Sequence, residues 1–196
     1  MLSRLRAAVA TVALFILLLG VGYPLAVTGA AQLVLPRQAN GSLLTGAGGR
    51  VVGSALIAQG FARPEYLHPR GSSAGSNGYD ATNSSGSNLG PMDPKLAASV
   101  GSTATALRKE NPSAAIPADA VTNSGSGLDP DISPENAAFQ AQRIAQARSL
   151  PVSVVQAEIA KSTEQPILGF IGQPHVNVLV TNRALDDQHP LASTRP

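Results

Sequence analysis

The sequence contains no cysteine and no tryptophan, and charged residues make up only 13% of its 196 positions. Without cysteine the chain forms no disulfide bond and offers no thiolate ligand to a metal ion. Any domain in this chain therefore depends on the packing of its own core, for which a hydrophobic content of 43% is ordinary.

Sequence patterns typical of nucleotide and metal binding are also missing. No G-x-x-x-x-G-K-[ST] phosphate loop occurs, and the GAGG run at Gly46 to Gly49 is not followed by a helical pattern. The histidines, His68, His175 and His189, share no metal-ligand spacing. We therefore predict no metal ligand and no nucleotide-binding motif in this chain.

One serine matches the pattern of a catalytic nucleophile. GSSAG, Gly71 to Gly75, has the G-x-S-x-G form with Ser73 in the serine position. A nucleophile elbow needs a strand before it and a helix after it. Here Pro69 precedes the pattern and SNGYD follows it, so we interpret GSSAG as a turn and predict no catalytic residue.

Charge is absent from Ala7 to Leu35, which is the most apolar part of the chain. A helix needs about 20 such residues to cross the hydrocarbon core of a bilayer, so residues 7–30 are predicted to form a transmembrane helix. The alternative is a cleaved signal peptide, because Arg4 and Arg6 form a basic start and Gly29, Ala30 and Ala31 suit a cleavage site. The apolar run is longer than a signal core, which favours an anchor.

The basic residues predict the orientation of this helix. Arg4 and Arg6 flank its start, so residues 1–6 are expected to stay cytoplasmic, with the rest of the chain outside the inner membrane. These arginines account for the formal charge of +2, and beyond them basic and acidic residues are equal in number. Nucleic-acid binders need a clustered basic patch, so no nucleic acid is expected as a partner.

The remaining sequence predicts one compact α+β domain outside the membrane. Residues 31–50 are assigned to a connector, residues 51–188 to the domain and residues 189–196 to a flexible tail. Within the domain, Val51 to Gln59 is predicted to be a strand, and Phe61 to Pro94 is predicted to contain short strands or fixed turns.

Three helices and a final strand are expected after the turns. The helices are predicted to begin after the caps Asp93 and Ser133 and at Val152. HVNVLVTN, His175 to Asn182, alternates in the manner of a strand. The order of strand, helices and strand predicts the α+β class.

Two similar loops precede the first two helices. NSSGSNLGPMDP begins at Asn83, and NSGSGLDPDISP begins at Asn123. Uncharged loops bring backbone donors and acceptors to a partner surface without burying unpaired charge, and the alternative is that they shape only the domain's own fold. The candidate partner-contact residues are Ser85, Gly86, Ser87, Asn88, Leu89, Ser124, Gly125, Ser126, Gly127, Leu128 and Asp129.

Asp129 and Asp131 form a pair of neighbouring carboxylates in the second loop. They could be interpreted as paired catalytic acids. We favour the interpretation that they place negative charge before the helix that follows Ser133, where the helix dipole stabilises it.

Several long segments together resemble one family. They are GSALIAQGF from Gly53, YLHPRGSSA from Tyr66, YDATNSSGSNLGPMDP from Tyr79, IPADAVTNSGSGLDPDISPENAAFQAQRIAQAR from Ile116 and LGFIGQPHVNVLVTNRALD from Leu168. With the amino-terminal apolar span, they resemble the C subunit of the Kdp-type potassium-transporting ATPase. One departure is Gly71, where that family usually has proline.

The resemblance implies a non-catalytic accessory subunit that keeps its span as an anchor in the lipid bilayer. Its partners would be a channel-like A subunit, an ATP-hydrolysing B subunit and a small F peptide. The family is described as a catalytic chaperone that raises the ATP affinity of the B subunit, so ATP and potassium are implied for the complex. The alternative is an independent anchored or secreted extracytoplasmic binding protein.

Overall fold

A computed structural model describes residues 2–191 of the chain. The chain divides into two compact units between Val52 and Gly53. The first unit contains the amino-terminal helix, and the second contains the α+β domain. Met1 and the last five residues of the predicted flexible tail, 192–196, lie outside the described residues.

The first unit is dominated by one continuous apolar helix, Leu2–Val34, which is 33 residues long. It consists of α1 (Leu2–Leu17), a π-helical turn (Leu18–Gly22) and α2 (Tyr23–Val34). Proline cannot donate a backbone hydrogen bond and clashes with the preceding turn of a regular helix. The wider π turn directly before Pro24 is the kind of local adjustment that relieves this clash.

The helix has the length and composition of a membrane span, and none of its most apolar window is buried. At 1.5 Å per residue it is about 50 Å long, which exceeds the hydrocarbon core of a bilayer. It extends beyond residues 7–30 at both ends, so the first four residues of the predicted connector, 31–34, are helical.

Short elements follow this helix. They are α3 (Pro36–Ala39), β1 (Leu43–Thr45), a 3-10 turn (Ala47–Gly49) and β2 (Val51–Ser54). Strands β1 and β2 pair as a two-stranded sheet. The predicted strand Val51 to Gln59 is therefore too long, because the Ser54 side chain accepts a hydrogen bond from Leu56 N–H and turns the chain (3.1 Å).

The core of the second unit lies between helices and a small sheet. The elements in chain order are α4 (Pro94–Glu110), α5 (Ala118–Val121), β3 (Asp131–Ile132), α6 (Pro134–Arg148), α7 (Val152–Lys161), β4 (Thr163–Glu164), β5 (His175–Asn177) and α8 (Val178–Gln188). The antiparallel sheet has the order β3-β5-β4. The buried core residues include Leu67, Ile132, Ala137, Ala141, Ile144, Val155, Val176 and Leu185.

The predicted helices are confirmed in position and in capping. Asp93 accepts a hydrogen bond from Lys95 N–H at the start of α4, and Ser133 accepts one from Asn136 N–H at the start of α6. Proline occupies the beginning of both helices, where its missing donor costs nothing. Helix α4 buries no residue completely, whereas α6 lies in the core.

The predicted strand His175 to Asn182 is wrong in its second half. Only His175–Asn177 is a strand, and helix α8 begins at Val178 with Asn177 as its cap. Valines at alternating positions suggested a strand, but four of the five buried residues of α8, Val178, Thr181, Asn182 and Leu185, have helical spacing. Asn182 is buried because its amide pairs with the backbone of Leu67, which sequence alone does not indicate.

The region from Ala55 to Asp93 contains no helix or strand among its described residues and consists of turns, which is one of the two forms predicted for Phe61 to Pro94. Core side chains hold it in place. The amide of Asn182 binds both backbone groups of Leu67, and Gln140 does the same for His68. Because these groups are satisfied internally, the region is an ordered part of the domain.

Candidate functional site

The two similar loops lie side by side in the structure. Ser85 N–H donates to the carbonyl oxygen of Ser126 (2.9 Å), and the Ser84 hydroxyl donates to the same oxygen (2.9 Å). A Cβ atom on Gly86 would lie 2.7 Å from the carbonyl oxygen of Gly125. Such close backbone approach is possible only because Gly86 lacks a side chain, whereas a Cβ on Gly125 would have no described atom within 4 Å.

A third segment, residues 70–75, completes the arrangement. Ser124 N–H donates to the carbonyl oxygen of Gly71 (2.9 Å), and the Ser72 hydroxyl donates to that of Gly127 (2.6 Å). Gly127 has a φ of 68° and would place a Cβ 2.7 Å from the nitrogen of Ala74. We call residues 70–75, 83–89 and 123–129 together the loop cluster.

GSSAG is a structural turn within the loop cluster. The Ser72 hydroxyl accepts hydrogen bonds from the N–H groups of Ala74 and Tyr79 (3.1 and 2.7 Å). The Ser73 hydroxyl accepts one from the Asn123 amide (2.9 Å). No strand precedes Ser73 in the described chain between Gly60 and Gly71, so the context of a nucleophile elbow is missing, as expected.

Two residues of the loop cluster are charged, Arg70 and Asp129, and they form an ion pair. Arg70 Nη1 lies 3.1 Å from a carboxylate oxygen of Asp129, and Arg70 Nη2 donates to the carbonyl oxygen of Asn123 (3.2 Å). Arg70 Nε is buried and has no hydrogen-bond partner within the described part of the chain. Burial raises the pKa of the Tyr79 phenol, which therefore remains a donor to the Arg70 carbonyl oxygen at neutral pH (2.9 Å).

The candidate partner-contact residues divide by exposure. Ser124 is 3% exposed and Gly127 is buried, so their contacts are with the domain itself. Ser85, Gly86, Leu89, Leu128 and Asp129 are half-buried. Ser87, Asn88, Gly125 and Ser126 are exposed. Contact of these loops with a partner stays a prediction, and the exposed members are those that a partner can reach.

Asn88 differs from the other polar residues of the loop cluster in its backbone conformation. Its φ is 54°, a left-handed conformation that asparagine tolerates better than most residues. Its side-chain amide makes no hydrogen bond with any residue that the structure describes. Two donors and one acceptor are thus presented to solvent.

The hydrogen bonds of Asp129 and Asp131 go to groups outside helix α6, and their predicted effect on its dipole stays a prediction. Asp129 pairs with Arg70, and Asp131 accepts a hydrogen bond from the Asn177 amide (2.9 Å). Asp119 is the carboxylate bonded at this helix end, because it accepts from Ser133 N–H and the Ser133 hydroxyl (2.9 and 2.8 Å). Asp119 lies 14 residues before Ser133, so no local pattern revealed it.

Sequence reasoning missed the mutual contact of the loops and the contribution of Arg70 and Ser72. The near repetition of the two loops was the available signal, because similar backbone shapes are well suited to lie against each other. Groups of three or more histidine, aspartate or glutamate residues able to hold a metal are absent from the described residues.

Comparison with known proteins identifies the family of the chain. The family described as "KdpC: K+-transporting ATPase, c chain" matches residues 5–187. The chain belongs to this family. The resemblance seen in the sequence is thereby confirmed, and it extends from the apolar helix to α8.

Individual relatives match over the whole length. The chain is 62% identical to the "Potassium-transporting ATPase KdpC subunit" of Caulobacter vibrioides over 196 residues, which is 100% of this chain and 99% of the relative. It is 57% identical to the protein of the same name from Beijerinckia indica, over 97% of each chain. It is 51% identical to that of Rhodospirillum rubrum, over 98% of this chain and 100% of the relative.

As a KdpC family member, the chain is a subunit of a potassium-transporting ATPase. Its described residues form an α+β domain and one helix long and apolar enough to span a membrane.

Proposed function

We propose that the chain is a membrane-anchored, non-catalytic subunit that supports assembly of a potassium uptake pump of the inner membrane. Its helix anchors it, and its α+β domain lies outside the cytoplasm, next to a channel-like subunit. An ATPase subunit of the same pump hydrolyses ATP, and a small membrane peptide completes the complex. The full-length match to the KdpC family carries this proposal.

The proposed topology rests on the distribution of charge around the helix Leu2–Val34. Arg4 and Arg6 lie within the first residues of its amino end, whereas the first basic residues after its other end are Arg37 and then Arg50. Basic residues are retained on the cytoplasmic side of membranes, and this bias sets the orientation of single spans.

The proposed division of labour follows from the chemistry of the loop cluster. Its serine hydroxyls and backbone groups bond to one another, and its one ion pair, Arg70 with Asp129, joins two of its segments. This arrangement favours recognition of a protein surface over chemistry on ATP. The chaperone effect on the ATPase subunit would then be exerted through the assembled complex.

Copurification tests the proposed function. A tagged full-length chain, extracted in mild detergent from potassium-starved cells, is expected to bring the channel-like and ATPase subunits with it. Isolation of the chain without them would overturn the proposal and favour an independent extracytoplasmic binding protein.

Protease access in spheroplasts tests the topology. The domain is expected to be digested from outside, while amino-terminal sequencing finds the mature chain starting at Met1 or Leu2. A mature start near residue 31 would instead mean a cleaved signal peptide. Protection of the domain in intact spheroplasts would place it in the cytoplasm.

A further inference from the structure

The turn that joins β4 to β5 exposes an unusual group of apolar side chains. We call residues 165–174 the β4–β5 tip. Ile167, Leu168, Phe170 and Ile171 are 69%, 80%, 76% and 50% exposed. Scattered exposed apolar residues are normal on protein surfaces, but a contiguous group of large ones marks an interaction site. No residue of the tip is charged.

The tip has a defined backbone conformation. Ile167 and Ile171 form a bridge in which each N–H donates to the carbonyl oxygen of the other (3.0 Å both ways). Between them Leu168 has a φ of 56° and Gly169 a φ of 82°. A left-handed leucine costs about 1–2 kcal/mol, so the bonds of the turn hold its exposed side chains in a conformation that a free peptide would leave.

The tip connects two paired strands of the sheet in the domain. Glu164 of β4 pairs with His175 of β5, and β5 is the central strand of its sheet. Val176, directly after this pair, is completely buried. The apolar side chains are therefore presented by the core through a short hairpin, which lowers the entropy lost when they bind.

A bilayer is a poor partner for this surface. Segments that insert at a membrane interface combine apolar residues with tryptophan, tyrosine, lysine or arginine. The tip contains none of these residues, and the position before it is the acidic Glu164.

A second copy of the chain is also a poor partner. A specific interface buries about 800 Å² on each side, which is more than four side chains on one turn can supply. Such a group suits an anchor within a larger interface, where an aromatic side chain fills a pocket and dominates the binding energy. An uncharged tip fits a pocket without charge, because a charged pocket would be desolvated with no partner.

We propose that the β4–β5 tip docks into an apolar, uncharged pocket of another subunit of the potassium-transporting ATPase, with Phe170 as the central anchor. This inference rests on the proposed function, because membership in the KdpC family is what places other subunits beside the chain. It assigns to the tip a contact separate from the loop cluster.

Thiol protection tests the docking directly, because the chain has no cysteine of its own. Phe170→Cys introduces one thiol at the tip, and Ala98→Cys introduces one on exposed α4 as the matched control. In the detergent-solubilised chain alone, both thiols are expected to react with maleimide at similar rates. In the purified complex, the Phe170→Cys thiol is expected to react at least tenfold more slowly, and the Ala98→Cys thiol at an unchanged rate.

Other occupants predict other outcomes. Equal reactivity of the Phe170→Cys thiol in the free chain and in the complex would overturn the docking. Protection in liposomes that contain this chain alone would assign the tip to the bilayer, and protection that grows with the concentration of the free chain would assign it to a second copy. If the wild-type chain copurifies with no ATPase subunit, the proposed function fails first and the docking with it.

A conservative pair of variants separates docking from folding. Phe170→Ser is expected to reduce the ATPase subunits recovered with the full-length chain at least tenfold, while Phe170→Leu retains most of them. Both are expected to unfold at the wild-type temperature, because the Phe170 side chain is 76% exposed. Equal recovery with Phe170→Ser and wild type would overturn the anchoring role.

Discussion

Ser85 N–H donates to the carbonyl oxygen of Ser126 at 2.9 Å, across 41 residues of sequence. This bond joins the two uncharged loops through their backbones. The two loops are separate in the sequence but stabilise one another in the structure. Only their exposed residues are therefore accessible to a partner.

Gly86→Ala is expected to destabilise the domain by about 1–3 kcal/mol, the usual cost of overpacking. The added methyl group would lie 2.7 Å from the carbonyl oxygen of Gly125, which is backbone and has little freedom to move. Thermal unfolding of the full-length chain in detergent, followed by circular dichroism, measures the change. Gly90→Ala is the control, since a Cβ there has no described atom within 4 Å. Equal melting temperatures for the two variants would contradict the close contact.

Asn88→Gly is expected to weaken assembly by about 1–3 kcal/mol if the amide bonds to a partner, because a buried partner group would be left unpaired. The melting temperature of the chain should stay close to that of wild type, since glycine accepts the φ of 54° at this position. Asn88→Ala removes the same amide but adds backbone strain. Copurification and thermal unfolding on the same preparations distinguish the effects. A lower melting temperature of Asn88→Gly with normal assembly would make the loops internal scaffolding only.

Asp119→Asn is expected to destabilise the chain at neutral pH and to do so less as the pH falls. Burial acts to raise the pKa of Asp119, but hydrogen bonds from Ser133 and Asn136 outweigh it, so the pKa is lowered overall. Because the pKa of Asp119 is lower in the folded state, its ionised carboxylate stabilises the fold at pH values above the unfolded pKa of about 3.9. This contribution is lost as the pH falls through the folded pKa.

Denaturant unfolding of wild type and Asp119→Asn at several pH values measures the difference between their free energies of unfolding, which is expected to become smaller as the pH falls. The paired comparison is needed because burial raises the pKa of Asp131, which contributes with the opposite sign. Asp187→Asn is the control, since the Asp187 side chain is 62% exposed. A difference in free energy of unfolding that becomes larger below about pH 4 would contradict a stabilising role of the ionised Asp119 carboxylate.

Arg148→Lys is expected to destabilise the domain by about 2–5 kcal/mol, because several buried acceptors lose their donors. The Arg148 side chain is 1% exposed and donates to the carbonyl oxygens of Glu65, Leu185 and His189 and to the carboxylate of Asp186. A lysine ammonium cannot reproduce this planar arrangement of donors.

Chemical denaturation of the full-length variants checks this prediction. Arg108→Lys, on the exposed side of α4, is expected to change the free energy of unfolding by less than about 0.5 kcal/mol. Similar stability of the Arg148 and Arg108 variants would show that the buried guanidinium is dispensable.

Local chemistry made much of the fold predictable. Asp93 and Ser133 predicted the starts of α4 and α6, because a capping side chain and a following proline act within one turn of the helix. The uncharged run from Ala7 to Leu35 predicted a long apolar helix for the same reason, since every residue of it contributes independently of the rest of the fold.

Two of the differences between sequence prediction and structure arise where a residue distant in sequence contacts the segment. HVNVLVTN alternates like a strand, yet it becomes a helix after Asn177 because Asn182 is buried against Leu67, 115 residues away. The early end of the VVGSALIAQ strand at Ser54 is instead a local effect, because the Ser54 side chain accepts a hydrogen bond from Leu56 N–H, two residues further on. Asp119 bonds to Ser133, the cap of α6, through contacts that close only in the folded chain.

The sequence by itself determined the family, the apolar helix and the uncharged composition of the two loops. The tertiary structure decided that Ser124 and Gly127 are buried, that Ser87 and Asn88 remain exposed, and that Leu168 and Phe170 stand on the tip of a hairpin. Composition fixes what a residue is able to bind, because that depends on its own atoms. Exposure depends on which distant backbone lies against it, and for these loops that backbone is the other loop.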